Sequence, residues 1–148
     1  MNSIRRLLNA CLLGLAVLAL GSPALAAEQK APPEKPNQVV LQVSDADPAI
    51  WNQALNVARN IQNAYGKDKV KVEIVAFGNG IDMVKFDATM ANRVTEATGN
   101  GVAVIACENT MKARKLSNED INASVSSVAA GVIEIVTRQR EGWSYIKL

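Results

Sequence analysis

One side chain in this sequence is a nucleophile without a rival of its kind beyond the N-terminal segment. Cys107 ends an apolar run, Val102-Ala103-Val104-Ile105-Ala106, and a polar, partly basic stretch follows it, Glu108-Asn109-Thr110-Met111-Lys112-Ala113-Arg114-Lys115. The chain contains no histidine, so Ser-His and Cys-His pairs are excluded. A thiol reacts as its thiolate, which a helix start or nearby cations favour. Lys112, Arg114 and Lys115 act in that direction; Glu108 opposes them. The alternative is that Cys107 is a small buried hydrophobe, a common fate of free cysteine.

The only other cysteine, Cys11, lies in the N-terminal segment. Arg5 and Arg6 precede an apolar stretch over 7–20, broken only by Asn9. Gly21-Ser22-Pro23 ends the stretch, and Ala24-Leu25-Ala26 follows as an A-x-A site. This pattern predicts a cleaved signal peptide over 1–26 and a periplasmic protein. The stretch is shorter than the ~20 residues that span a bilayer. Export leaves Cys107 as the sole thiol, so no internal disulfide can form, and a reactive thiol or an intermolecular bridge is expected.

Removal of Arg5 and Arg6 also leaves fourteen of the sixteen basic residues, equal to the fourteen acidic ones. A mature chain of zero net charge argues against nucleic acid and against electrostatic attraction to membranes. Without histidine or a cysteine pair, a transition-metal site is not expected, and no cofactor is predicted.

Cys107 needs a scaffold, and the pattern supplies one. Pro32, Pro33 and Pro36 make 27–37 an extended tether. A single domain is expected over 38–148, long enough to bury a core without disulfides. Residues 39–43 read as a strand. Asp47 and Pro48 then suit the N-cap and first position of a helix carried by Trp51, Leu55, Ala58, Ile61 and Tyr65 and closed by Gly66. A second strand spans 70–77. A helix after Asp87 uses Met90, Val94 and Ala97, and a third strand spans 102–106. A helical turn over 109–115 and a weaker strand over 123–128 follow. A helix over 130–140 places Val132, Ile133 and Val136 inward, and a last strand covers 143–146.

Alternating strands and helices predict an α/β fold: a three-layer α/β/α sandwich on a mainly parallel sheet of about five strands. Ligands in such sheets sit beyond the carboxyl ends of the strands. Three segments converge there: 44–47, 78–81 and 107–111. Ser44 and Asp45 become candidate binding residues, with Asp47 better explained as a helix cap. Gly78-Asn79-Gly80 is either an anion-binding nest or a plain turn. Asn109 and Thr110 would orient a ligand or cap the turn, and Lys112 and Arg114 would hold an anion. Trp51 and Trp143 read as packing residues. Met83-Val84-Lys85-Phe86 reads as a lid or a subunit contact.

Five stretches together resemble the DsrE/DsrF-like family, in particular its exported members. They are 39–48, 54–60, Val75-Ala76-Phe77-Gly78-Asn79-Gly80-Ile81, Ala106-Cys107-Glu108-Asn109-Thr110-Met111-Lys112-Ala113-Arg114, and Glu141-Gly142-Trp143-Ser144-Tyr145-Ile146. The segment from Cys107 to Ala113 is the most specific. The resemblance implies an α/β/α sandwich and homo-oligomers, trimers or paired trimers. It also implies sulfur relay through a persulfide on a cysteine after the third strand, where Cys107 stands, with a sulfur-donor or acceptor protein as partner. Three readings follow. The chain is a periplasmic sulfur carrier using Cys107; or a non-catalytic oligomeric module that binds a small ligand or a protein, with Cys107 structural; or an oxidation sensor that dimerises through Cys107.

Overall fold

The computed structural model describes residues 37–148; the signal peptide and tether expected before them lie outside these residues, apart from Asn37. The elements run β1 Asn37–Val43, α1 Pro48–Tyr65, β2 Val70–Ala76, α2 Ala91–Gly99, β3 Ala103–Cys107, α3 Glu108–Ala113, β4 Ser126–Val128, α4 Gly131–Arg140 and β5 Ser144–Lys147. Short 3₁₀ turns occupy Lys67–Lys69, Gly78–Val84 and Asn118–Asp120. All four strand pairings are parallel, in the order β4-β3-β2-β1-β5. The protein is a three-layer α/β/α sandwich, as the alternation predicts.

The strand order dictates which helix covers which face. From β1 to β4 the chain steps in one direction across the sheet; from β4 to β5 it returns past β1 to the opposite edge. Parallel crossovers are right-handed, so reversing direction moves the connecting helix to the other face. Accordingly α1 and α2 pack with Val39, Leu41, Val43, Val72, Ile74 and Val104 in the larger core. Helix α4 lies on the other face, over Val40, Val75 and Ile105. Leaving the end of β4, it starts beside the end of β3, where Cys107 stands. Among the described residues no helix is long and apolar enough to cross a membrane.

Helix α1 starts as expected. The Asp47 carboxylate accepts the Ala49 N–H at 2.8 Å, Pro48 occupies the first turn, and Gly66 closes the helix at φ 90°. The buried stripe differs at its end: Gln62 turns inward, and Tyr65 is exposed. Gln62 is tolerated because its amide donates to the Asn100 carbonyl at 2.8 Å. Helix α2 begins at Ala91, later than Asp87 suggests, without a side-chain cap.

Helix α4 corrects a larger expectation. Val132 and Ile133 point outward, 54% and 62% exposed, while Gly131 and Ile135 are buried. Two contacts set this rotation. Gly131 packs close to Val75, Phe77 and Cys107. Seven residues on, two turns along the same face, Arg138 reaches the buried carboxylate of Glu73 at 3.0 Å. The run from Met83 to Phe86 is also mostly core: Met83 and Val84 are fully buried, and only Phe86 is exposed.

Candidate functional site

Cys107 is both the last residue of β3 and the N-cap of α3. Its β-strand position points the sulfur to the α4 side of the sheet, like Ile105 two residues before it. The thiol is 5% exposed. Its sulfur accepts the backbone N–H of Gly131, the first residue of α4, at 3.2 Å. Two helix starts therefore meet at one sulfur.

Thr110 adds a second arm. Its hydroxyl oxygen accepts the Gly78 N–H at 3.0 Å, and the hydroxyl lies close enough to the sulfur to favour the thiolate. The loop after β2 thus helps orient a donor on α3. Burial by itself pushes the Cys107 pKa up. The N–H of Gly131, the Thr110 hydroxyl and the N–H groups of Thr110 and Asn109 outweigh it and hold the thiol below its ordinary value of 9.0. The Asn109 N–H makes the smallest contribution; it also donates to the Ala129 carbonyl at 3.1 Å.

The charges near the thiol are arranged differently from their order in the sequence. The Glu108 carboxylate accepts the Ser127 hydroxyl at 2.9 Å, which holds it on the β4 side. Arg114 pairs with Asp82 at 3.0 Å and ties the exit of α3 to the 3₁₀ turn after β2. Its charge is already countered. Lys112 and Asn109 are exposed on α3.

Gly78-Asn79-Gly80 opens a 3₁₀ turn. Gly78 adopts φ 56°, and the Gly80 N–H donates to the Phe77 carbonyl at 3.0 Å. A β-carbon on Gly80 would lie 2.3 Å from the Val43 carbonyl oxygen, so this glycine is there for close backbone approach to β1. With the Gly78 and Gly80 N–H groups both engaged inside the protein, the segment is a turn that supports Thr110. Ser44 and Asp45 follow β1, two strands from β3 and so roughly 10 Å away in the sheet. Ser44 accepts from the Gln42 amide at 3.1 Å; Asp45 accepts the Asp47 N–H at 2.9 Å and, through its carbonyl, the Trp51 indole at 2.7 Å. Both residues build the loop into α1. Of the predicted binding residues, Thr110 and Asn109 lie at the thiol, and Gly78 is linked to it through Thr110.

Gly131 is the residue the sequence reading missed. A glycine opening a helix after the strand next to β3 was the available signal. Also missed was the group on the same face further along: buried Glu73, with Arg138 joined to Glu134 at 2.7 Å and Glu141 at 3.1 Å and stacked over the Trp143 ring at 4.9 Å. Burial pushes the Glu73 pKa up, against the opposing pull of Arg138. Among the described residues, no three His, Cys, Asp or Glu side chains cluster as metal ligands would.

The sequence pattern of the DsrE/DsrF-like family matches residues 38–148, the whole folded domain. The chain belongs to that family. A DsrE/DsrF-like fold is equally visible in solved structures. A protein of unknown function, MTH1491 from Methanobacterium thermoautotrophicum, is 32% identical and superposes with a TM-score of 0.73, over 76% of this chain and 99% of that one. BT1422 from Bacteroides thetaiotaomicron, a conserved protein of unknown function, shares 13% identity with a TM-score of 0.63, over 76% and 95% of the two chains. The ychN protein from E. coli shares 9% identity with a TM-score of 0.61, over 76% and 99%. At those two identities the likeness concerns the fold alone. No curated protein matches this sequence.

Proposed function

We propose that this DsrE/DsrF-like protein carries sulfur as a persulfide on Cys107, in the periplasm and as a homo-oligomer. One observation carries the reading: the Cys107 sulfur accepts the Gly131 N–H at the start of α4 at 3.2 Å, a contact that favours the thiolate. The thiolate attacks the outer sulfur of a sulfane donor such as thiosulfate, a polysulfide or a donor protein's persulfide. An Sγ–S bond forms as the donor's S–S bond breaks, and the departing sulfite or thiolate takes the electron pair. An acceptor thiolate then attacks the outer sulfur, and Cys107 leaves as the thiolate again. The same donors that hold the thiolate hold it as leaving group. Lys112, free on the surface of α3, is placed to attract an anionic donor.

Intact mass after incubation with polysulfide tests this. A gain of about 32 Da, one sulfur atom, is expected on the wild type and absent from Cys107→Ser. An unchanged mass, or a gain that survives the substitution, overturns the proposal.

The low exposure of Cys107 favours a second reading, a non-catalytic binding module in which the thiol is packed. Under that reading the native protein resists iodoacetamide and only the unfolded chain reacts.

A further inference from the structure

A cleft in the domain lies well away from the thiol. It is a hollow of about 280 Å³ between α1 and α2, opening at the amino ends of β2 and β3. The length of β3, about 16 Å, separates it from Cys107. Leu55, Ala97 and Val102 supply its apolar lining, and Arg59, Lys67 and Arg93 bring three positive charges to it. Glu96 is the one carboxylate in the lining.

The three cations rest on neutral oxygens. Arg59 and Arg93 both donate to the same Asn56 carboxamide oxygen, at 3.0 and 2.9 Å. Arg93 also donates to the Asn52 carboxamide, and Lys67 donates to that of Asn100 at 2.7 Å. None forms an ion pair with a carboxylate among the described residues, in contrast to Arg114 and Arg138. Two guanidinium groups converging on one uncharged oxygen repel each other, and an anion between them relieves that repulsion. Guanidinium groups present forked donors that match the oxygens of phosphate or carboxylate. The hollow is slightly smaller than the roughly 300–1,000 Å³ of drug-sized sites.

From these contacts we infer that the α1–α2 cleft binds a small organic oxyanion. Arg59, Arg93 and Lys67 hold its phosphate or carboxylate group, and Leu55 and Val102 receive its apolar part. This site is separate from the thiol and does not depend on the sulfur-carrier reading.

Calorimetric titration of the full chain with phenyl phosphate, in chloride buffer of low ionic strength, tests it. Saturable binding is expected, tighter than for inorganic phosphate titrated in parallel. Arg59→Gln and Arg93→Gln should each weaken it about tenfold, the scale of one lost charge-assisted hydrogen bond. The side-chain hydrogen bond of Arg59 goes to Asn56 of its own helix, so its variant leaves the Arg93 hydrogen bonds from α2 to α1 in place. Absence of saturable binding overturns the site. So does affinity unchanged in both variants, which would leave the arginines as a clasp between the helices. Equal affinity for the two phosphates overturns the organic part of the assignment.

Discussion

The Gly131 N–H reaches the Cys107 sulfur at 3.2 Å across a separation of 24 residues. A strand end and a helix start, brought together only by the sheet order, share this bond. It makes the acidity of the thiol a property of tertiary structure.

The thiol should therefore lose acidity when its donors are altered. Thr110→Val removes the hydroxyl donor and leaves the Gly78 N–H without its acceptor. The Cys107 pKa is expected to rise toward 9.0, and Thr110→Ser to restore it. The pH profile of the alkylation rate reads both. A β-carbon at Gly131 would lie 3.1 Å from Val75 Cγ1 and 3.2 Å from Cys107 Cβ. Gly131→Ala should raise the pKa by displacing the N–H and cost about 1–3 kcal/mol of stability.

A depressed thiol pKa also links folding to pH. The folded state favours the thiolate, so the stabilisation is fully present above the unfolded thiol pKa and is lost as pH falls through the folded one. The urea midpoint of the wild type, relative to Cys107→Ser, should rise as pH climbs from about 6 to about 9.5. A constant difference across that window would contradict the geometry at the sulfur.

Gly80 should tolerate no side chain. Its β-carbon would meet the backbone of Val43 and Ser44 at 2.3–2.9 Å, and strand β1 cannot yield as a flexible side chain would. Gly80→Ala is expected to cost about 3 kcal/mol or more, or to prevent folding. Gly99→Ala is the control: a β-carbon there meets nothing within 4 Å. Denaturant melts separate the two.

Arg138 holds the only buried carboxylate among the described residues, that of Glu73. Arg138→Met should cost about 3 kcal/mol at neutral pH, because it leaves the Glu73 charge buried and unpaired. Burial already raises the Glu73 pKa. A raised carboxyl pKa gives stability present below the unfolded value and lost as pH rises through the folded one. The penalty of Arg138→Met should accordingly shrink toward pH 4, a trend that thermal melts across pH would show. Glu73→Gln, which removes the charge and keeps the shape, should cost less.

Local signals account for most of the fold. Asp47, Pro48 and Gly66 bound α1 through capping chemistry that operates within a few residues, and the apolar runs ending at Val43 and Cys107 mark interior strands of a parallel sheet. Helix α4 is where local pattern fails. Its valines and isoleucines suggest one inward face, yet Val132 and Ile133 face out. The helix's rotation is set by Gly131 against Cys107 and by Arg138 against Glu73, partners 24 and 65 residues away. The same distance in sequence hid Gly131 from the site. Asp82, partner of Arg114, and Ser127, partner of Glu108, escaped for the same reason: each pairing is made by the sheet and leaves no spacing to read.

The pairing of β1 with β5 has a consequence for folding. Tyr145 bonds Gln42 across 103 residues, and the Leu148 N–H donates to the Gln42 carbonyl at 3.3 Å. Strand β1 lies inside the folded sheet, but until residues 144–147 dock one of its sides is an open edge carrying Val39, Val40 and Leu41. An open apolar edge invites pairing with other chains. A chain whose β5 has not yet docked is thus the form most open to pairing with other chains, and docking of β5 covers that side of β1.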